Sequence, residues 1–474
     1  MKFKDLDGLE YEFDNISGAI YQSYDYIKEP LPNSDRIIEN QKKRRNIINS
    51  IMLGSSQKLN INNLTKQYYI DNGIKQLTFK LTDQCNMRCK YCTYSDYYPF
   101  TSMYGNQQLK ISDALKGVDI YMDVIKKHNS VWTNVELKPT FTFYGGEPLL
   151  QFDVIKQIVE YIETKYSKYE AAYLMTTNAL LINDEISKFI KKHNFHISIS
   201  LDGYRENHNR NRVTVAGKGT FEQIDKIIRK YLLDYKNWNI FMCYDFKTDF
   251  DRLINRDRFG LGEDYFYDHI AKITLVCDVN TNYYNQFNKI DYNKYVNKIK
   301  TIKKSFIDKI SNGKDLNFLE RIFFEYEFIL IDDRNKYTPN NSFYEVPLGN
   351  CIPGDKLFLQ TDGSFTLCEK VPNYEEFILG DINTGIDIEK VKKLINKINE
   401  DFLVKCRNCE ISRLCSVCYA MLYKDNDGKF SIDKKICDNQ KEILKKKLGI
   451  YTSLKRKNNS IFDYFYVDRY LNNN

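Results

Sequence analysis

Leu81-Thr-Asp-Gln-Cys85-Asn-Met-Arg-Cys89-Lys-Tyr91-Cys92 directly follows an apolar run, Gln76 to Leu81, and holds three cysteines in a C-x3-C-x2-C cluster. Thiolates packed that tightly suit an iron–sulfur cubane, and three ligands for four irons leave one iron open to chemistry. A zinc knuckle with a distant fourth ligand is the competing reading, but zinc sites are usually built from C-x2-4-C pairs and fill all four positions.

From Gln76 onward, short apolar runs alternate with amphipathic helical windows, the mark of βα units and a parallel sheet. The pattern predicts strands near 76–82, 140–145, 171–177, 195–201, 239–245 and 271–277, with helices near 108–127, 152–165, 183–193 and 220–234. Six such units make a partial (β/α)6 TIM-like barrel, an α/β fold in which chemistry gathers at the C-terminal ends of the strands. The motifs sit there. The second strand ends in Tyr144-Gly145-Gly146-Glu147-Pro148, where glycines let backbone approach a ligand and a carboxylate can meet an ammonium group. The third ends in Thr176-Thr-Asn178, and the fourth in Ser198-Ile-Ser200-Leu-Asp202-Gly203, followed by His208-Asn-Arg-Asn-Arg212. Hydroxyls and carboxylates of this kind can hold a ribose, and a guanidinium can grip a carboxylate. Each alone is more often a cap or a turn; their recurrence around one cluster is the signal.

Upstream, Tyr11 to Asp25 reads as a strand or two about an Asn15-Ile-Ser-Gly18 turn, and Asp35 to Ile51 as a basic helix. This small α+β module can dock an extended peptide by strand addition or simply cap the next domain. Downstream, Asn288 to Lys314 and Leu316 to Asp332 read as long helices, and the polar loop 332–342 marks a boundary. Seven of the twelve cysteines then fall at Cys351, Cys368, Cys406, Cys409, Cys415, Cys418 and Cys437, in turn-rich sequence that signals metal. Zinc ribbons account for two C-x2-C pairs and leave three cysteines over, so iron–sulfur clusters are favoured. Cys243 and Cys277 lie in strand-like runs and read as small buried hydrophobes.

The 474 residues carry 70 basic and 63 acidic side chains, a net charge of +7 spread along the chain. This is a solvated surface, and nucleic acid binding is a minor alternative. Apolar runs fall short of the roughly 18 residues of a membrane span, and Met1 to Asp14 is charged, so no membrane is expected and a cytoplasmic location is. There, this number of cysteines argues for cluster ligation over disulfides.

The C-x3-C-x2-C motif with Tyr91 before its last cysteine, and the Gly-Gly-Glu-Pro at the next strand end, resemble the radical SAM superfamily. The C-terminal G-x4-C, C-x2-C-x5-C, C-x2-C and final cysteine resemble its SPASM subgroup. The resemblance implies that Cys85, Cys89 and Cys92 hold the [4Fe–4S] cluster that binds S-adenosyl-L-methionine. It further implies that Tyr91 contacts the adenine with its backbone, that the backbone at Gly145, Gly146 and Glu147 receives the amino group, and that Ser200 and Arg212 bind the ribose and carboxylate ends. Two further [4Fe–4S] clusters are implied, an outer one on Cys406, Cys409, Cys415 and Cys437 and an inner one on Cys351, Cys368 and Cys418. Glu369 matches the general base of sulfatase-maturing relatives. Ala179 stands where the family often has Gly, Asn209 where Asp is common, and the last C-x2-C where C-x3-C is frequent.

The inner set lacks a cysteine between Cys351 and Cys368 that fully ligated relatives have. Either Cys243 or Cys277 supplies the ligand, or the inner cluster has an open iron that can hold a substrate thiolate. The Ser95-Asp-Tyr-Tyr stretch and the N-terminal module resemble ribosomal-peptide (RiPP) maturases of ranthipeptide and sactipeptide type. That implies a precursor peptide with a leader as partner, an electron donor such as flavodoxin or ferredoxin, and a Cys thioether crosslink as product. Formylglycine formation in a sulfatase and peptide C–C crosslinking are the enzyme alternatives; a zinc-stapled binding module is the non-catalytic one. The implied organisation is 1–74 leader recognition, 75–332 radical SAM barrel, 333–445 SPASM domain and 446–474 tail.

Overall fold

The computed structural model describes residues 1–15, 20–22, 65–99, 101, 103–133, 136–254, 264–325, 328, 331, 352–407, 409–458 and 461. The chain opens with β1 (Lys2–Lys4), β2 (Glu10–Phe13) and β3 (Ile20–Gln22), paired antiparallel in that order. Their alternation puts Phe3, Tyr11 and Phe13 on a buried face. Residues 16–18 of the expected Asn15–Gly18 turn and the basic helix expected over 35–51 lie outside the described residues.

All six expected barrel strands form: β4 (Gln76–Lys80), β5 (Thr140–Tyr144), β6 (Ala172–Thr177), β7 (His196–Ser200), β8 (Trp238–Tyr244) and β9 (Ile270–Leu275). They are parallel and adjacent in chain order. The crossover helices are α1 (Ile111–Val131), α2 (Phe152–Lys165), α3 (Asp184–Lys192) and α4 (Phe221–Tyr231). Each strand buries alternate residues under these helices, including Phe79, Phe141, Phe143, Ile197 and Ile240. Phe143 stacks on Phe79 at 5.5 Å and on Phe195 at 5.6 Å, filling the layer between sheet and helices. The other alternate residues face the lumen and are, Phe241 apart, mostly smaller or polar. Register places Thr176, Ser198 and Asn239 in one row, Ser200, Phe241 and Lys272 in the next, and Cys243 beside Thr274 beyond them. The pleat thus separates a greasy outer layer from a polar interior that opens at the strands' C-terminal ends.

β4 and β9 do not pair, so the barrel stays open. After α5 (Lys289–Ser311), started by an Asn288/Asp291 capping box, the helix expected over 316–332 begins at Phe318 and changes its winding. Phe318–Glu320 is one short turn and Arg321–Glu325 is π-helical. The chain then returns as β10 (Lys356–Leu359), parallel to β4, and continues antiparallel through β11 (Ser364–Thr366), β12 (Ile378–Asp381) and β13 (Gly385–Ile386). One ten-stranded sheet therefore runs from barrel to cysteine-rich region. That region has its own small core, in which Phe377, Leu379, Val391, Ile395 and Phe430 pack with the half-buried Cys406 and Cys415. Its helices are α6 (Ile388–Arg407) and α7 (Lys434–Lys457). α7 runs through residue 446 and lies on β1, where a Cβ on Gly449 would come within 2.3 Å of the Lys4 carbonyl oxygen. Among the described residues no helix is long and apolar enough to cross a membrane.

Candidate active site

The loop carrying Cys85, Cys89 and Cys92 is fastened on both sides by backbone. The Gly146 N–H donates to the Thr82 carbonyl at 2.8 Å and the Glu147 N–H to the Gln84 carbonyl at 2.9 Å. A Cβ on Gly146 would sit 2.0 Å from the Gln84 oxygen, and Gly145 has φ +146°, so only glycine fits here. The two glycines serve a close approach between two loops. With both N–H groups consumed, what this turn can offer an ammonium is carbonyl oxygen. On the other side, Arg88 N–H donates to Val213 O at 2.8 Å and Lys90 N–H to Asn211 O at 2.9 Å.

Sulfur acceptors are already provided for. Cys85 Sγ accepts from the Met87 N–H at 3.4 Å and Cys92 Sγ from the Tyr94 N–H at 3.5 Å. The Tyr104 hydroxyl is within hydrogen-bonding reach of Cys92, while the Arg88 guanidinium lies 4.2 Å over the Tyr104 ring. Burial pushes the thiol of Cys85 up to about 11 and that of Cys89 up to about 12, so protons stay on until a metal displaces them. The three thiols are in mutual electrostatic contact. Among the described residues no group of three or more His, Cys, Asp or Glu is gathered so as to hold a metal ion. A cubane carries its thiolates on separate corners, further apart than the donors of one ion, and three thiols about a common volume with N–H···S donors in place fit that group.

The side chain of Glu147 is committed elsewhere than the sequence suggests. Its Oε1 accepts from Thr177 Oγ1 at 2.6 Å and from the Leu149 N–H at 3.1 Å, and its Oε2 from the Asn178 N–H at 2.9 Å. Burial raises its pKa, against these bonds and the Arg212 charge. This carboxylate therefore ties the end of β5 to the end of β6. The next residues continue the tie: Asn178 Nδ2 donates to Asn86 Oδ1 at 2.7 Å, and Ala179 takes φ +69°, the left-handed conformation for which glycine is the usual residue.

Arg212 is buried, its Nη1 donating to the Tyr91 hydroxyl at 2.9 Å, and the Tyr91 hydroxyl donates to Asp202. Asp202 Oδ1 also accepts the Cys243 N–H at 2.9 Å. The Arg212 Nε–H is buried without a partner, a donor of the kind a carboxylate ligand satisfies. Tyr91 thus enters the site through its side chain, alongside the backbone contact expected of it. Ser200 ends β7 half-buried on the lumen face. His208 is pinned between the Asp202 N–H at 3.2 Å and Thr220 Oγ1 at 2.9 Å, and burial holds its pKa well below the usual value. Asn209 accepts the Phe221 N–H at 3.0 Å at the start of α4 and so has a structural job.

Glu369 follows Cys368 at the end of β11 and is in electrostatic contact with Tyr94, Tyr144 and Lys272. Lys272 has its pKa lowered by burial and by Lys370, against the pull of Cys243 and Glu369. The sequence reading missed Lys272, Tyr104 and Asp245. A lysine in the alternating run Ile270-Ala-Lys272-Ile-Thr-Leu was the available signal for the first. Asp245, which gathers Arg210 Nη2 at 2.6 Å, Asn211 Nδ2 at 2.9 Å and the Tyr283 hydroxyl at 2.8 Å, had none. Of the auxiliary cysteines, the Cys368 thiol accepts backbone N–H groups of Lys370 and Val371 and is in electrostatic contact with Cys418. Cys406 lies near the end of α6, Cys409 and Cys415 in the turns that follow, and Cys437 in the first turn of α7. Cys351 lies outside the described residues. Cys243 is on the lumen face, whereas Cys277 lies past the end of β9 and is exposed, contrary to the buried role expected of it.

Residues 79–253 match the family model described as the radical SAM superfamily. The chain carries a radical SAM domain. Similar proteins include the cysteine-type anaerobic sulfatase-maturating enzyme of Clostridium novyi (strain NT), 26% identical over 78% of this chain and 94% of the relative. Another is the radical SAM cyclopropyl synthase of Paramaledivibacter caminithermalis, 24% identical over 79% of this chain and 74% of the relative. The solved structure "Native anSMEcpe with bound AdoMet and Cp18Cys peptide" shares the fold of this chain, with TM-score 0.54 and 20% identity over 81% of this chain and 99% of that one.

Proposed function

We propose that this chain is a radical SAM enzyme that modifies a ribosomally made peptide by hydrogen abstraction and closes a Cys thioether crosslink. The observation that carries this is Glu369, a carboxylate set at the mouth of the polar lumen with Tyr94, Tyr144 and Lys272 about it. Cys85, Cys89 and Cys92 would hold the first cluster; Cys406, Cys409, Cys415 and Cys437 an outer one; Cys368 and Cys418 belong to an inner one. When bound, the first cluster, reduced by a flavodoxin or ferredoxin type donor, and S-adenosylmethionine would supply a 5′-deoxyadenosyl radical, and the auxiliary clusters would accept the one electron that the substrate gives up and pass it on. Arg212 and Ser200 fix the cofactor's two ends, with Tyr91 and Asp202 holding the guanidinium in place. The lumen walls exclude water from the reacting carbon. Glu369 takes the proton of the substrate thiol, so that the peptide gives up two hydrogens in all and gains a carbon–sulfur bond. The β1–β3 sheet would recognise the leader by strand addition.

A second reading is oxidation of a Cys side chain to formylglycine with Glu369 as the same base, favoured by the likeness to the Clostridium novyi maturase over 94% of that protein. Co-expression with a short Cys-containing precursor and mass spectrometry separates the two. Loss of two hydrogens with the cysteine protected from alkylation supports the thioether; an aldehyde replaces it by formylglycine. An unmodified peptide from an enzyme that makes 5′-deoxyadenosine argues against that precursor. Anaerobically purified protein is expected to hold about twelve irons per chain, whereas about two zinc ions and little iron would sink both readings.

A further inference from the structure

Cys277 is two residues past β9, where Val276 N–H still donates to Tyr244 O at 2.9 Å and holds the strand's line. The Tyr98 hydroxyl, from the loop that follows the first three cysteines, donates to the Cys277 carbonyl at 2.9 Å and fixes its backbone. The side chain is exposed, with Sγ 3.8 Å from the Val279 carbonyl. It does not face plain solvent: the Cys418 thiol and the Lys370 ammonium are in electrostatic contact with it. Cys418 is in turn in contact with Cys368, whose sulfur already accepts two backbone N–H groups, from Lys370 and Val371. Cys418 is therefore within electrostatic reach of both Cys277 and Cys368, three thiols from three distant segments: the end of a barrel strand, the turn after β11 and the turn after Cys415. Cys243 is placed differently, with Asp202, Arg212, Tyr91 and Lys272 about it.

We propose that Cys277 is a thiolate ligand of the inner auxiliary cluster, alongside Cys368 and Cys418. The inference rests on the reading above that an auxiliary cluster sits on Cys368 and Cys418. The chemistry of the set suits it: soft thiolates on loops, N–H···S donors at Cys368, and a lysine to balance the negative charge of a thiolate-ligated cluster. Ligation by a barrel strand would fasten the cysteine-rich region to the lumen mouth opposite β10, on the side where β9 has no neighbour. It also fills an iron position that a substrate thiolate would otherwise take. The substrate sulfur would then be held by protein groups such as Glu369, and the inner cluster would act only as an electron acceptor.

The test is differential alkylation of the full chain. Protein reconstituted anaerobically with iron and sulfide, and the same protein stripped by chelator, are treated with iodoacetamide without denaturant and mapped by mass spectrometry. Cys277 is expected to be blocked in the iron-loaded form and labelled in the stripped form; equal labelling in both overturns the proposal. In a parallel preparation, Cys85→Ala/Cys89→Ala/Cys92→Ala removes the first cluster, so that iron remaining in it reports the auxiliary clusters. Iron near zero there, with Cys406, Cys409 and Cys415 labelled too, overturns the auxiliary-cluster reading itself and is told apart from a failure at Cys277 alone. A second variant, Cys277→Ala, separates ligation from shielding. It should keep its iron but gain an exchangeable site, seen as a change in the electron paramagnetic resonance of the reduced auxiliary clusters on adding 2-mercaptoethanol. A spectrum unmoved by the thiol, as in the parent, overturns ligation.

Discussion

Around Cys85, Cys89 and Cys92 the backbone is tied to distant parts of the chain, to Gly146 and Glu147 on one side and to Asn211 and Val213 on the other. Around Cys406, Cys409 and Cys415 the backbone bonds are local: Cys409 to Cys406 at 3.1 Å, Ser412 to Cys409 at 3.2 Å and Cys415 to Ser412 at 3.4 Å. The first loop is shaped by the barrel before any metal arrives. The second is a chain of turns set between a helix end and a helix start, and the proposed outer cluster would add a long-range tie there by closing its ligands on a metal. On that reading one cysteine pattern is a pocket in a scaffold and the other a staple for one.

The largest effect that sharpens this contrast is the loss of chemistry at the first loop. Cys85→Ala/Cys89→Ala/Cys92→Ala should abolish 5′-deoxyadenosine formation and lower iron by about four per chain, while the barrel keeps its circular dichroism. A triple variant that still makes 5′-deoxyadenosine would remove the central assignment. Next comes metal removal. In chelator-treated protein, hydrogen exchange should rise strongly over residues 406–437 and little over the strands β4 to β8; equal rises would erase the distinction between pocket and staple.

A third test breaks the scaffold itself. Gly146→Ala forces a Cβ to 2.0 Å from the Gln84 oxygen, between two backbones that cannot both stay. A loss of about 3 kcal/mol is expected in chemical denaturation, together with weaker iron retention at the first site, and a neutral result would mean that the loop is not pre-shaped. The smallest effect is at Ala179, at φ +69° beside the Glu147 tie. Glycine should relieve about 1–2 kcal/mol of backbone strain and give back about 0.8 kcal/mol for one buried methyl. Ala179→Gly is thus expected to raise the melting temperature slightly, and a clear fall would show the strain argument wrong.

Much of the fold was legible because a parallel barrel leaves strong local marks. Apolar runs with glycine-rich or hydroxyl-rich ends located all six strands, and amphipathic windows located four helices to within a few residues. The candidate site stands out where chemistry demands a residue type at a fixed spacing, as in Cys85, Cys89 and Cys92 and in Gly145-Gly146. Sequence is silent on roles that depend on what lies across a gap. Nothing local to Glu147 shows that its side chain ties Thr177, Asn178 and Leu149 together. Cys277 reads as a strand hydrophobe, yet it is exposed past the strand end.

By itself, then, the sequence determined the cluster loop, the order of βα units and the cysteine-rich end, because periodicity and ligand spacing are local properties. Tertiary structure alone decided that β10 joins β4, so that one sheet carries both cysteine regions, and that Tyr91, Asp202 and Arg212 meet under the first loop. It also decided which lumen residues share a row, since Ser200, Phe241 and Lys272 come from three strands whose register is set by packing against the helices outside. Contacts between segments a hundred residues apart leave no period in either segment, and only folding brings them together.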